Sequence, residues 1–266
     1  MKVARIPYLN AEPFYAGWGE DPPFEVVELV PRALGQAARD GLIDAGLMAV
    51  ADWFTLDADF DLVSPPLGVT AREHVRSVVL FTGASPRRLS GKRIGVTGES
   101  STSRRLLELL ARARWGLEDV TWVPENEIEA DPREAVDAML LIGDRALEVM
   151  ALSDLGGWDR AVDLASEWWE WQGLPFVFAV WVVRTAVPRR ERERFAGFLS
   201  GSLALGHERI AGIAEARAGR LGEADALRAY LENFVYRLGP AETEGLARFR
   251  DLLAEHDIQE YTGTSV

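Results

Sequence analysis

The chain contains no cysteine. Disulfides, thiolate catalysis, iron–sulfur clusters and cysteine-held zinc are therefore excluded as chemistry of its own residues. Histidine is scarce. His74, His207 and His256 lie far apart, and no HxH or HExxH spacing occurs, so a histidine-built metal site is not expected. Positive charge is short as well: 29 Lys+Arg stand against 42 Asp+Glu, a formal net charge of −13. Neutralising phosphates needs clustered basic side chains, so no nucleic-acid partner is expected. A small anion is still compatible with this balance, because a pocket supplies its own local donors. No apolar run approaches the roughly 20 residues of a membrane span. The longest candidate, Phe176–Val183, has strand-like composition, and the opening MKVARIPYLN carries no signal-like stretch. A cytoplasmic protein without a membrane partner is the expectation. There is no GxGxxG, no Walker A lysine, no GxSxG and no EF-hand loop.

What is present suits a folded chain. Hydrophobic residues make up 48% and charged residues 27% of 266 residues, enough for one large or two small domains. Strands are predicted over 2–9, 24–30, 43–50, 75–82, 93–96, 120–123, 138–142 and 176–183. Helices are predicted over 32–40, 104–114, 133–139 and 146–152. From Pro188 the chain reads as helix throughout: 189–219, 223–233 and 241–255, with a fraying tail over 262–266. Alternating strands and helices predict an α/β fold with mostly parallel sheets and a helical C-terminal third. The two strongest strands bracket a self-contained block. That arrangement predicts two lobes joined by two crossings, with a cleft between them where ligands favour binding.

Four segments carry candidate chemistry. Gly98–Ser103 reads GESSTS between a strand and an amphipathic helix. Free N–H groups at a helix start, with the helix dipole and neighbouring hydroxyls, make an anion site; capping alone needs one hydroxyl, and both readings stay open. Asp144 ends a buried strand, where ligands collect in open sheets, although Asp also caps helices well. Asn10 closes the first strand and both donates and accepts; an Asx-turn is the plainer reading. Trp158, Trp168, Trp169, Trp171, Phe176 and Phe178 form an aromatic run that is expected to serve mainly as packing.

Taken in order, IPYLNAEPFY at 6–15, SVVLFTG at 77–83, GVTGESSTSRRLLELL at 95–110, LLIGDRAL at 140–147, DLGGWDR at 154–160 and LPFVFAVWVV at 174–183 resemble the chorismate dehydratases of the futalosine route to menaquinone. The likeness spans nearly the whole chain. One departure is LMAVADW at 47–53, where the family pattern has a proline-containing loop. The resemblance implies a type II periplasmic-binding-protein-like fold, with lobe one formed by 1–83 and 179–266 and lobe two by 84–178. It implies a lyase that converts chorismate to 3-[(1-carboxyvinyl)oxy]benzoate and water, without metal or organic cofactor. Ser101, Thr102 and Ser103, with Ser77 or Thr97, would hold a substrate carboxylate, and Phe178 would be a further substrate-binding residue. Asn10 would hold the C4 hydroxyl or the enolpyruvyl group. Either Asp144 or the substrate's own enolpyruvyl carboxylate would take the C3 proton. The sister enzyme that makes 1,4-dihydroxy-6-naphthoate is the competing reading, but an SPCPNDTF-like start is expected there and IPYLNAEPF stands here. A non-enzymatic small-anion-binding protein is the other.

Overall fold

The computed structural model describes residues 1–128 and 131–258. The expected tail over 262–266 lies outside them. The chain opens with β1 (Lys2–Arg5), a 3-10 turn at Leu9–Tyr15, β2 (Glu25–Glu28), α1 (Pro31–Arg39), β3 (Ala45–Ala49), α2 (Val50–Leu56), β4 (Phe60–Leu62) and β5 (Leu67–Ala71). It continues through β6 (Val78–Thr82), β7 (Arg93–Val96), α3 (Ser101–Leu109), β8 (Thr121–Pro124), α4 (Pro132–Ala135), β9 (Ala138–Ile142), α5 (Gly143–Met150), β10 (Arg160–Asp163) and α6 (Leu164–Gln172). It returns along β11 (Phe176–Arg184) and ends in α7 (Arg189–Glu208), α8 (Ile210–Arg217), α9 (Ala224–Glu232), β12 (Val235–Arg237) and α10 (Pro240–Glu255).

Two sheets form two lobes. The first runs β12-β5-β11-β3-β1-β2, with β4 also on β11; the second runs β10-β6-β9-β7-β8. Sheet membership places both crossings earlier in the chain than the expected bounds at 83 and 178. β6 pairs with β9 and β10 in the second sheet, whereas Phe176–Phe178 already belong to a strand of the first. The expectation of mostly parallel sheets is also corrected. β1 runs parallel to β2 and β3, and β7 to β8 and β9. β11, however, lies antiparallel to β3, β4 and β5, because it brings the chain back into the middle of a sheet already begun.

The central strands β3, β5, β6 and β9 are buried along their whole length, as continuous apolar runs require. In β6 the period of two is visible: Val79 and Phe81 pack on one face of the second sheet with Met139 and Leu141, and Val78 and Leu80 pack on the other. β2, expected to be half-buried, is an edge strand and largely exposed. Trp168 lies on α6 rather than in an extended segment and sits fully buried against Phe176 and Phe249, while Trp169 is partly exposed. Asp163 caps that helix by accepting from the Ala165 and Ser166 N–H groups, and Gly173 ends it in the left-handed conformation.

Candidate functional site

Between the lobes lies a cavity. Four helices begin at its wall. Pro31 starts α1, Ala49 precedes α2, Ser100 caps α3, and Ile142 and Gly143 open α5. The positive ends of these helix dipoles face the wall and favour an anion, although Pro31 has no N–H and the Arg32, Ala51, Ser103 and Gly143 N–H groups already donate to protein acceptors. Tyr8, Asn10, Ser77, Ser100 and Ser103 supply the polar side chains. Phe178, Ile6, Leu47, Val69 and Val78 supply apolar surface. Among the described residues lining the cavity, none is Asp, Glu, Lys, Arg or His.

The serine cluster divides. Ser100 sits at the N-cap of α3, and its Oγ accepts from the Ser103 N–H at 3.2 Å. Capping places residues three apart on one side, so Ser100 and Ser103 face the cavity together. Ser101 and Thr102, expected in the anion site, are not among its lining residues and hold the other lobe. Ser101 Oγ donates to Asp52 at 2.8 Å, and Thr102 Oγ1 accepts from the Ala51 N–H at 3.1 Å. Arg105 adds a bond to the Ala51 carbonyl at 3.1 Å. Thr97 is likewise outside the wall: its Oγ1 accepts from the Glu99 N–H at 3.3 Å and shapes the turn before α3.

Asp144 also lies off the wall. It follows Gly143, whose φ of 57° turns the chain at the strand end, and a Cβ at Gly143 would meet the Tyr8 ring at 3.1 Å. One Asp144 oxygen accepts from the Leu9 N–H at 3.0 Å; the other pairs with Arg217 and, at 3.5 Å, with Arg220. The carboxylate thereby ties the second lobe to the first beside Asn10. Arg217, 73 residues distant, is not visible as its partner in the sequence.

Asn10, Ser77 and Phe178 line the cavity. Tyr8, two residues before Asn10 in the same segment, lines the cavity too, its hydroxyl donating to Glu99 at 2.5 Å. Burial, reinforced by the Glu99 hydrogen bond and charge, pushes the Tyr8 phenol well above its ordinary range, so it stays protonated. Ser100 was readable from its spacing of three to Ser103. His74 is exposed and stands outside the wall.

Residues 1–255 match the family described as menaquinone biosynthesis. The chain belongs to that family. It is 33% identical to the chorismate dehydratase of Thermus thermophilus over 248 residues, 86% of this chain and 87% of that one. Solved structures agree on the fold. Protein AF1704 of Archaeoglobus fulgidus superposes with a TM-score of 0.79 at 20% identity, covering 97% of this chain and 98% of that one. The periplasmic aliphatic sulphonate-binding protein SsuA of Escherichia coli gives 0.65 at 16%, covering 100% and 94%. The fold is thus the two-lobed periplasmic-binding-protein type. Among the described residues, no helix is long and apolar enough to cross a membrane.

Proposed function

We propose that this chain is a chorismate dehydratase acting in menaquinone biosynthesis. The C3–H bond of chorismate breaks and its electron pair becomes the C3=C4 double bond. The C4–O bond breaks, hydroxide leaves, and with the C3 proton it becomes water. The product is 3-[(1-carboxyvinyl)oxy]benzoate. Aromatisation drives the reaction, so the protein chiefly orients the diene and assists the leaving group.

The observation that carries the mechanism is that, among the described residues lining the wall, none brings a carboxylate or an imidazole. Asp144, with both oxygens engaged at the rim, acts in this reading as a positioning group for the Leu9–Asn10 segment. The proton acceptor is then the enolpyruvyl carboxylate of the substrate itself. Ser100, Ser103 and the N–H groups opening α3 receive the ring carboxylate, Phe178 packs on the ring, and Asn10 meets the C4 hydroxyl. Family membership and the relative from Thermus thermophilus support the reaction; the wall composition supports the assignment of roles.

The test is direct. Purified protein is incubated with chorismate while the ultraviolet spectrum and product mass are followed. An aromatic product lighter by one water is expected; unchanged chorismate would refute the reaction. A chorismate analogue with the enolpyruvyl carboxylate converted to a neutral amide separates the two bases. It should not turn over, and turnover at the rate of chorismate would return the role to a protein group.

A further inference from the structure

Ser77 lines the cavity at the first crossing between the lobes, on the segment 72–77 that leads from β5 into β6. Its backbone is pinned from both sides. The Val75 and Arg76 N–H groups donate to one Asp163 oxygen at 2.9 and 2.6 Å, which holds Arg76 at a φ of 61°. The Gly143 N–H donates to the Ser77 carbonyl at 2.8 Å. From the other lobe, Asn233 at the end of α9 donates to the His74 carbonyl at 2.7 Å. What the backbone leaves free is the Ser77 side chain, a short rotor with one hydroxyl.

Tyr230 of α9 reaches that rotor from behind the wall. It is 3% exposed, does not line the cavity and packs edge-on to Phe234, and its hydroxyl donates to Ser77 Oγ at 2.9 Å. Burial pushes the phenol above its ordinary range, so its proton is present throughout the working pH range. Ser77 thus receives a hydrogen bond and must give its own proton elsewhere. Inside the protein it meets the Val75 carbonyl at 3.4 Å, well beyond the usual length for two oxygens. A ligand oxygen in the cavity competes only with that long bond.

We propose that Tyr230 is a positioning residue that holds the Ser77 hydroxyl in one rotamer, with its proton available to a carboxylate in the cavity. A carboxylate has only acceptors, so a hydroxyl that already accepts from Tyr230 meets it as a donor. In the proposed reaction the substrate brings two carboxylates. The start of α3 receives one. Ser77 gives its hydrogen bond to one oxygen of the other, on the enolpyruvyl group, and leaves the second oxygen to take the C3 proton. The identity of that carboxylate rests on the proposed dehydration of chorismate, whereas the hold of Tyr230 on Ser77 is a property of the protein alone.

Two readouts test this. The first uses no substrate: the Tyr230 phenol proton in an NMR spectrum of protein carrying carbon-13-labelled tyrosine, assigned through its own ring. It should exchange slowly in the wild type, and should move upfield and exchange faster in Ser77→Ala. An unmoved signal would overturn the proposal, and this readout does not depend on a Tyr230 variant that folds. The second is kcat and KM for chorismate in a double-mutant cycle. Tyr230→Phe keeps the ring edge-on to Phe234 and removes only the hydroxyl. It should raise KM by about fivefold, the scale of one hydrogen bond, with kcat nearly unchanged. In the Ser77→Ala background the same change should have almost no further effect. Equal losses in both backgrounds would show that Tyr230 acts by general packing, and they too would overturn the proposal, as would a loss confined to kcat. A wild-type protein inert toward chorismate would sink the functional reading alone, since the NMR readout still decides whether Tyr230 acts on Ser77.

Discussion

Along the cavity wall the polar side chains are Tyr8, Asn10, Ser77, Ser100 and Ser103, all uncharged. Just outside it, Asp144 meets Arg217 and Arg220, and Asp52 meets Arg39 and Ser101. The two regions are adjacent and contain the same helix starts, α2, α3 and α5, yet they are furnished differently. The wall offers hydroxyls, an amide and the positive ends of helix dipoles to a ligand that brings its own negative charge. The rim satisfies its charges within the protein and joins the lobes. In the proposed reaction this division is economical: a dianionic substrate needs donors, and one that carries its own base needs no second carboxylate nearby. A like charge in the wall would repel it.

Changing the wall should therefore alter chemistry, and changing the rim should alter closure. The largest effect is expected at Asn10. Asn10→Ala should lower kcat by about a hundredfold or more, the range seen when a preorganised polar group at a reacting centre is removed. Asn10→Asp should do the same by placing a charge beside the dianion, while the melting temperature of both variants stays close to that of wild type. Near-wild-type turnover in Asn10→Asp would reduce Asn10 to a turn residue.

Next comes the divided serine cluster. Ser103→Ala removes a wall hydroxyl and should raise KM by about tenfold, the loss of one hydrogen bond to a carboxylate. Ser101→Ala, which removes only the bond to Asp52, should change KM less. Equal effects from the two serines would erase the distinction between wall and rim at α3.

The rim ion pair should matter less and should respond to salt. The Arg217 and Asp144 side chains retain 25% and 12% of their exposure, so screening reaches the pair. Arg217→Gln should raise KM by severalfold, roughly the effect of 1 kcal/mol, and leave kcat nearly unchanged. The gap from wild type should narrow as salt is added. A loss confined to kcat and insensitive to salt would move Asp144 back into the catalytic chemistry.

The same contrast explains what the sequence made legible. Strong strands such as 78–82 and 138–142 announce themselves as apolar runs, and the Ser/Thr cluster marks a helix start. β5 does not: Leu67–Ala71 contains Gly68, which reads as a break. In the fold, a Cβ there would lie 2.4 Å from the Ala179 carbonyl, so close approach to β11 selects the glycine. Ser77 immediately precedes β6, whereas Asn10, expected to close the first strand, lies in the 3-10 turn at Leu9–Tyr15, because β1 already ends at Arg5. The Asp144–Arg217 and Tyr230–Ser77 pairs join residues 73 and 153 positions apart, and no local pattern encodes them. Wall residues lie on short local motifs; the partners Arg217 of Asp144 and Tyr230 of Ser77 come from the C-terminal helices, whose periodic sequence gives packing faces but no pairings.

The smallest expected effect concerns Asp52, the buried carboxylate of the rim. Burial raises its pKa above the ordinary aspartate value, only partly opposed by the Ser101 hydrogen bond and the Arg39 charge. A raised folded-state pKa means that the folded protein binds the proton more tightly than the unfolded chain. The resulting stability is fully present below the unfolded pKa and is lost as pH rises through the folded one. Asp52→Asn keeps the shape and the neutral form and does not titrate. Its melting temperature relative to wild type should therefore rise as pH increases from the ordinary aspartate range through the raised value, then level off. The KM for chorismate should follow only weakly, because Asp52 meets α3 through Ser101 and not through the wall. A melting-temperature difference that shrinks with rising pH would mean that Arg39 and Ser101 outweigh burial and hold Asp52 as a stabilising charge, joining it to the ion pairs at Asp144 rather than setting it apart from them.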